Sequence, residues 1–391
     1  MALEQSAPSH FITRAFRAKS LIMGLRLECY SNDRIAAIRS FNARIANAVP
    51  YALGTGSVSP ERTERAPVWL ETLLAVDGED VRGGVMLQHQ RFRVGNDDRD
   101  VVNIQLPLSE GVVDRKYAHV GMWIVKSVLA RHPFAFAVGM GGLNQPLPRL
   151  LKALGWDVRL VPFAFYVHRP HRFLRGMPPL RRTALARVAT SAAAFSGVGP
   201  AVIALKQAWR GRGSIRRSSI HFERVDRWDV WADGTWDVAR AECSVIGSRT
   251  SAELQALYPT TDDRYLCYRV RDGSLDVGWA TLIATRMQHS DKFGDLHVGT
   301  LLDSLARPGY ERAIARGVRD VFRDLGVDLS LANHSHAAWI EALAATGYWS
   351  GPSNYVLATS PTLSAAARHA MSDGENRIHI TRGDGDGRIH L

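Results

Sequence analysis

The sequence predicts a mixed α/β protein, of the α+β kind, made of two copies of one unit. Three observations carry that prediction. Strand-like and helix-like segments alternate after an initial hairpin, which means a mixed sheet with helices on its faces. The hairpin signal Asp77-Gly78 returns 195 positions later as Asp272-Gly273, and the helix ending Gly155-Trp156 returns 192 positions later as Gly347-Tyr348. Between the copies runs a basic segment with a composition of its own. The expected division is an extension over 1–19, a first domain over 20–168, a connector over 169–217, a second domain over 218–365 and a tail over 366–391.

In the first copy, 34–47 (RIAAIRSFNARIAN) has helical periodicity, and the Asp77-Gly78 turn joins two apolar runs, with Gly83 opening the second. Strand 101–108 (VVNIQLPL), helix 121–129, strand 132–138 and helix 148–154 follow. The second copy repeats the order with strand 295–305, helix 309–325, strand 327–332 and helix 337–345. Each copy closes on an apolar, aromatic strand.

The chain has 391 residues, 46% of them hydrophobic and 22% charged, which excludes disordered, collagen-like and low-complexity classes and favours two domains over one core. Three scattered cysteines, Cys29, Cys243 and Cys267, have neither disulfide nor zinc spacing, so a reducing compartment is expected. The first 24 residues carry charges around a short apolar stretch and lack a secretory h-region, so a cytoplasmic protein is expected, with peripheral contact at an inner membrane as a further option. Positions 188–205 are uncharged, but their Gly, Pro, Ser and Thr argue against a spanning helix. From Val158 to Phe222 there is no Asp or Glu, while 12 Lys and Arg fall there, more than the whole net charge of +11. That segment reads as a solvated face, a surface for anionic lipid, or a groove for a polyanion; nucleic acid is disfavoured, since stacking aromatics are not interleaved. The tail Ile380-Thr381-Arg382-Gly383-Asp384-Gly385-Asp386-Gly387-Arg388 lacks EF-hand ligand spacing and reads as a mobile or docked strand; no metal is expected.

The order of elements, the Gly-containing turn into a helix after the fourth strand and the Gly-aromatic helix ending resemble the GNAT superfamily of acyl-CoA-dependent acyltransferases. The resemblance implies two tandem GNAT-like domains, each a mostly antiparallel sheet flanked by helices. It also implies acetyl-CoA or another acyl-CoA as co-substrate, with its pyrophosphate on backbone amides at a helix N-terminus. In the first copy the matching positions are Val113, Ala118, His119, Val120, Gly121 and Met122, with Asn144 standing 11 residues before Gly155. Departures are Ala118 where the family has Arg or Gln, Trp123 where it has a second Gly, and Leu151 where a tyrosine often serves as acid. The second copy departs further, entering its helix through Arg307-Pro308-Gly309-Tyr310. Its Asp263-Arg264-Tyr265-Leu266-Cys267-Tyr268-Arg269 is similar to an element of bacterial tandem GNAT proteins of surface-polysaccharide work, which implies an envelope or exopolysaccharide precursor as acceptor.

Acyl transfer needs a base for the incoming amine or hydroxyl and donors for the leaving thiolate. Glu110, at the end of the fourth strand, is a base or a turn cap. Tyr117 and His119 could protonate a thiolate, although Tyr117 equally suits packing against the helix. Asp303 is a base or a buried cap. Asn333, His334 and His336 gather at the mouth of the second sheet as substrate ligands, where His336 or Ser335 also suits a helix N-cap. Arg181 and Arg182 would meet a small or lipid-linked anionic acceptor. Two rivals remain at this point: a Fem-like transferase using charged tRNA, and a non-catalytic scaffold with two degenerate cofactor turns.

Overall fold

The computed structural model describes residues 24–55, 66–211, 220–370 and 377–385. The expected extension 1–19, connector positions 212–217 and tail positions 371–376 and 386–391 lie outside them. The described residues form two compact units, one within Met1–His89 and Ile104–Pro133, the other within Gln90–Asn103 and Phe134–Leu391.

In the first unit, β1 (Leu25–Cys29) pairs antiparallel with β2 (Val68–Asp77), from Leu25↔Asp77 to Cys29↔Leu73. The Asp77-Gly78 turn forms as expected, with Gly78 at φ 61°, and leads to β3 (Asp80–Val94) and then β4 (Asp97–Ser109), in the order β1-β2-β3-β4. Helix Ile35–Ile45 buries Ile38, Phe41 and Ile45 against Leu74, Val76, Val81 and Leu108. Helix Val120–Arg131 buries Val120, Ile124, Val125 and Val128. It lies so near β3 that a Cβ on Gly83 would meet the Leu108 carbonyl oxygen at 2.7 Å and Ile124 Cδ1 at 2.9 Å.

In the second unit the start of β4 pairs parallel with β5 (Ala135–Gly139) at Val102↔Ala135 and Asn103↔Phe136. Beyond β5 come two short strands, β6 (Asp157–Leu160) and β15 (Val356–Thr359), in the order β5-β15-β6. A second sheet has the order β14-β7-β13-β12-β11-β10-β8. Its strands are β7 (Phe163–Val167), β8 (Ile220–Arg224), β10 (Leu266–Asp272), β11 (Leu275–Arg286), β12 (His297–Ala306), β13 (Leu329–Asn333) and β14 (Trp349–Gly351). Two strands are exchanged. β7, which closes the first repeat in sequence, pairs antiparallel with β13 from Leu329↔Val167 to Asn333↔Phe163. β15, which closes the second, lies between β5 and β6. Both are apolar runs, and each finds in the other copy's sheet two neighbours for its backbone.

Helix Glu311–Asp324 turns Ile314, Ala315, Val318 and Phe322 into a core with Val277, Leu282 and Leu301. The connector forms helices Pro170–Gly176, Ala184–Phe195 and Val198–Arg210. The long uncharged stretch is therefore broken at Ser196-Gly197, where Gly197 takes φ 74° and the helices bend by 73°. Among the described residues no single helix is long and apolar enough to cross a membrane. The tail docks through β16 (Ile378–His379), parallel to β9 (Val245–Gly247), which in turn pairs with the end of β3.

Candidate functional site

The turn expected to hold an anion lies in the first unit. Ser109 Oγ accepts from the Gly111 N–H at 3.1 Å, and Asp114 Oδ1 accepts from the Lys116 N–H at 2.9 Å. These bonds wind the chain through two short 3₁₀ turns, Glu110–Val112 and Arg115–Tyr117, into helix Val120–Arg131. His119 occupies the N-cap with no side-chain cap bond, and no acid stands in the first turn. The N–H groups of Val120, Gly121 and Met122 therefore have no acceptor within the helix and aim their dipoles outward. His119 Nε2 is buried without a partner. A Cβ on Gly121 would touch only the Ser109 side chain, at 3.6 Å and beyond, so a small side chain fits at this position. Val113 and Ala118 are exposed beside it, with Arg115 and Lys116.

Glu110 is not poised as a base. It is 4% exposed and gripped by two guanidiniums, with Arg44 Nε at 2.8 Å and Arg82 at 3.1 Å. These charge-assisted bonds tie the turn to helix Ile35–Ile45 and to β3. Tyr117 is likewise buried, with Arg82 over its ring at 4.5 Å, which is the packing alternative.

The second copy's turn is closed by its own side chain. The Gly309 N–H donates to Glu311 Oε2 at 2.9 Å, at the start of helix Glu311–Asp324. Burial raises the Glu311 carboxyl above its ordinary value. At the mouth of the sheet the tail takes the space. Asp303, fully buried, accepts from Arg249 Nε at 2.8 Å, the Tyr258 hydroxyl at 2.7 Å, the Thr381 hydroxyl at 3.1 Å and the Ser304 N–H at 2.9 Å. Arg249, also fully buried, reaches on to Asp384 Oδ1 at 2.5 Å. Burial by itself would raise the Asp303 carboxyl, but the Arg249 charge, His379 and the Tyr258 hydroxyl together outweigh it and hold the group well below the carboxylate range.

His334, expected to touch substrate, is 1% exposed. It bonds Ser304 through Nε2 at 3.1 Å, stacks on Trp339, and bridges to Thr381 of the tail through its backbone. Asn333 donates to the Pro162 carbonyl at 3.2 Å and accepts from Arg382 at 3.2 Å. His336 occupies the N-cap position of helix Ala337–Ala345 without a side-chain cap bond, and burial pushes its imidazole down to about 4. Asp303, Asn333, His334 and His336 thus do gather at one sheet mouth, where residues 378–384 of the tail dock against them. The tail supplies partners to Asp303, Asn333 and Arg249, while His334 Nδ1 and both ring nitrogens of His336 are buried without a hydrogen-bond partner.

No family model matches the sequence, and no curated protein matches it. Among solved structures, a GCN5-related N-acetyltransferase from Anabaena variabilis is similar at a TM-score of 0.50 and 10% identity, over 85% of this chain and 72% of that one. Saccharomyces cerevisiae N-myristoyltransferase with bound myristoyl-CoA is similar at 0.50 and 8%, over 86% and 82%. The chain has the GNAT fold. The match extends over most of its length, in keeping with two GNAT copies in tandem.

The first copy's strand-to-helix turn has no acid at its helix start, and the second copy's has Glu311 there. Of the other expected residues, Asn144 is exposed in the turn after β5, in the second unit. Arg181 donates to the Arg175 carbonyl, and Arg182 is exposed. Cys243 and Cys267 are buried thiols, pushed by burial up to about 12 and about 11, so neither is a nucleophile. One group among the described residues has metal-ligand types together, Glu71, His89 and His132. Within it His89 Nε2 sits 2.9 Å from Glu71 Oε2 and its ring stacks on Trp69, so the two side chains already satisfy one another. The residues that sequence reading missed are Arg44, Arg82, Arg249 and Glu311. Only Glu311 had a local signal, an acid two places after Pro308-Gly309 at the start of a helix.

Proposed function

We propose that the protein is an acyl-CoA-dependent N- or O-acyltransferase whose first copy takes the co-substrate at residues 119–122. One observation carries the reading: the first copy's helix begins uncapped and acid-free beside the unpartnered His119 Nε2, whereas the second copy's turn is filled by Glu311. The amides of Val120, Gly121 and Met122 would bind the pyrophosphate, and Arg115 and Lys116 would add positive potential. With the thioester so fixed, an acceptor amine or hydroxyl attacks the acyl carbonyl, the C–S bond breaks, and the thiolate leaves to be protonated. The sequence element 263–269 supports an acceptor on an envelope or exopolysaccharide precursor, and the acid-free connector suits one that is anionic.

Titration calorimetry with acetyl-CoA and a long-chain acyl-CoA tests this. Gly121→Ala should bind as the natural protein does, and Gly121→Trp should bind about tenfold or more weakly, because a large side chain would cover the amides. Equal affinity in all three proteins would remove the site from this turn. A second reading, a binding protein without turnover, is favoured by the pairing of Glu110 to Arg44 and Arg82 and by buried Leu151 in the tyrosine position. Acyl-CoA binding without release of free thiol in the presence of amine and sugar acceptors would select it.

A further inference from the structure

The bent helix pair Ala184–Phe195 and Val198–Arg210 turns its best apolar residues away from the protein. On the first helix Leu185, Val188, Ala192 and Phe195 are exposed, at spacings of three, four and three that define one face. On the second, Val198, Val202, Leu205 and Trp209 repeat that at four, three and four. The seven large side chains of these stripes are 57% to 80% exposed. The inward faces are conventional: Ala194, Ile203 and Gln207 are buried, and Ile203 joins a core with Val167, Phe173 and Leu329. The pair is therefore anchored on one side and unpartnered on the other. Apolar stripes of this size in water mark a surface that something covers.

Charge decides what covers it. Arg182, Arg187, Lys206 and Arg210 are exposed along the same pair, and Arg175 lies over the Phe195 ring at 4.9 Å. No acid occurs anywhere from Val158 to Phe222. A second copy meeting this face would bring like charge against like charge. An anionic bilayer answers both features at once, taking the apolar stripes below its headgroups and the cations among its phosphates. Trp209 next to Arg210 has the amphipathic character suited to that boundary. The 73° bend at Gly197 and the short length of each helix fit lying in the interface rather than crossing it.

We infer that this helix pair docks the protein onto a membrane surface rich in anionic lipid, inserting Leu185, Phe195 and Trp209 to headgroup depth. The inference stands on the connector alone and is independent of the acyl-transfer reading.

The test is co-sedimentation of the full chain with vesicles of phosphatidylcholine, alone or mixed with phosphatidylglycerol, at low and high salt. Binding about tenfold stronger to the anionic vesicles is expected, falling about tenfold for L185S/F195S/W209S and by a similar factor for R187E/R210E. Because all five positions are exposed, thermal midpoints should stay at the natural value. Equal vesicle binding by the natural protein and the apolar variant overturns the inference. So does absence of binding to anionic vesicles, or a dimer in analytical ultracentrifugation that L185S/F195S/W209S dissociates.

Discussion

Arg249 shows how much one buried charge commits a fold to. It has no exposed surface and joins Asp303, on β12, to Asp384, in the tail. Replacing it by methionine leaves two buried carboxylates with no cation, so Arg249→Met should destabilise the protein by about 3–5 kcal/mol in denaturant unfolding. His168 makes a pH prediction. Burial first, then the Arg319, Arg323 and Arg169 charges, lowers it to about 3, while Nε2 holds the Ser330 hydroxyl at 2.9 Å. The unfolded chain takes up this proton near pH 6.5 and the folded one near 3, so the stabilisation is complete above 6.5 and is lost as pH falls between these values. At pH 5 the loss is about 2 kcal/mol from this residue. His168→Gln should flatten the decline of thermal midpoint between pH 7 and 5, and an unchanged slope would refute the assignment.

At the scale of elements, the tail takes the docked form of the two that the sequence allowed. The 3₁₀ turn Arg382–Asp384 is closed by a capping box between Thr381 and Asp384. It fits under Tyr258 only because position 383 is glycine: a Cβ there would collide with the Tyr258 hydroxyl and come within 3.1 Å of Asp303 Cβ. Gly383→Ala should therefore cost about 1–3 kcal/mol of stability, read from the same unfolding curves. Most elements of both copies were legible in the sequence, because their turns and periodicities are local. Helix 337–345 forms over the residues expected, and helix 309–325 starts two residues later, at Glu311. What local pattern could not say was the partner of each closing strand. Apolar runs such as FAFYV suit any buried sheet position, and the pairing is set by which neighbour offers free backbone groups.

For the whole molecule, exchange of β7 and β15 ties the repeats together. A fragment spanning 20–168 lacks β15, leaving β5 and β6 without the strand between them, and a fragment spanning 218–365 lacks β7, leaving β13 and β14 unjoined. Each should be unfolded or aggregated when made alone, as judged by circular dichroism and gel filtration, and mixing the two should restore soluble structure. Either fragment folding as a monomer by itself would contradict the pairing. The strand that completes each sheet thus comes from the end of the other copy.

The sequence by itself determined the α/β class, the duplication, the two Asp-Gly hairpins, the acid-free connector and the turn at 113–122, since all of these reside in short-range spacing and composition. Only the tertiary structure decided which side chains are available for chemistry. Glu110, Asp303, Asn333 and His334 are the right residue types near the right strand ends. Yet Arg44 and Arg82 lie 66 and 28 positions from Glu110, Arg249 lies 54 from Asp303, and the tail that covers the second mouth arrives from 78 positions away. Whether a carboxylate is a base or a buried strut depends on partners that distant, and no local pattern records them.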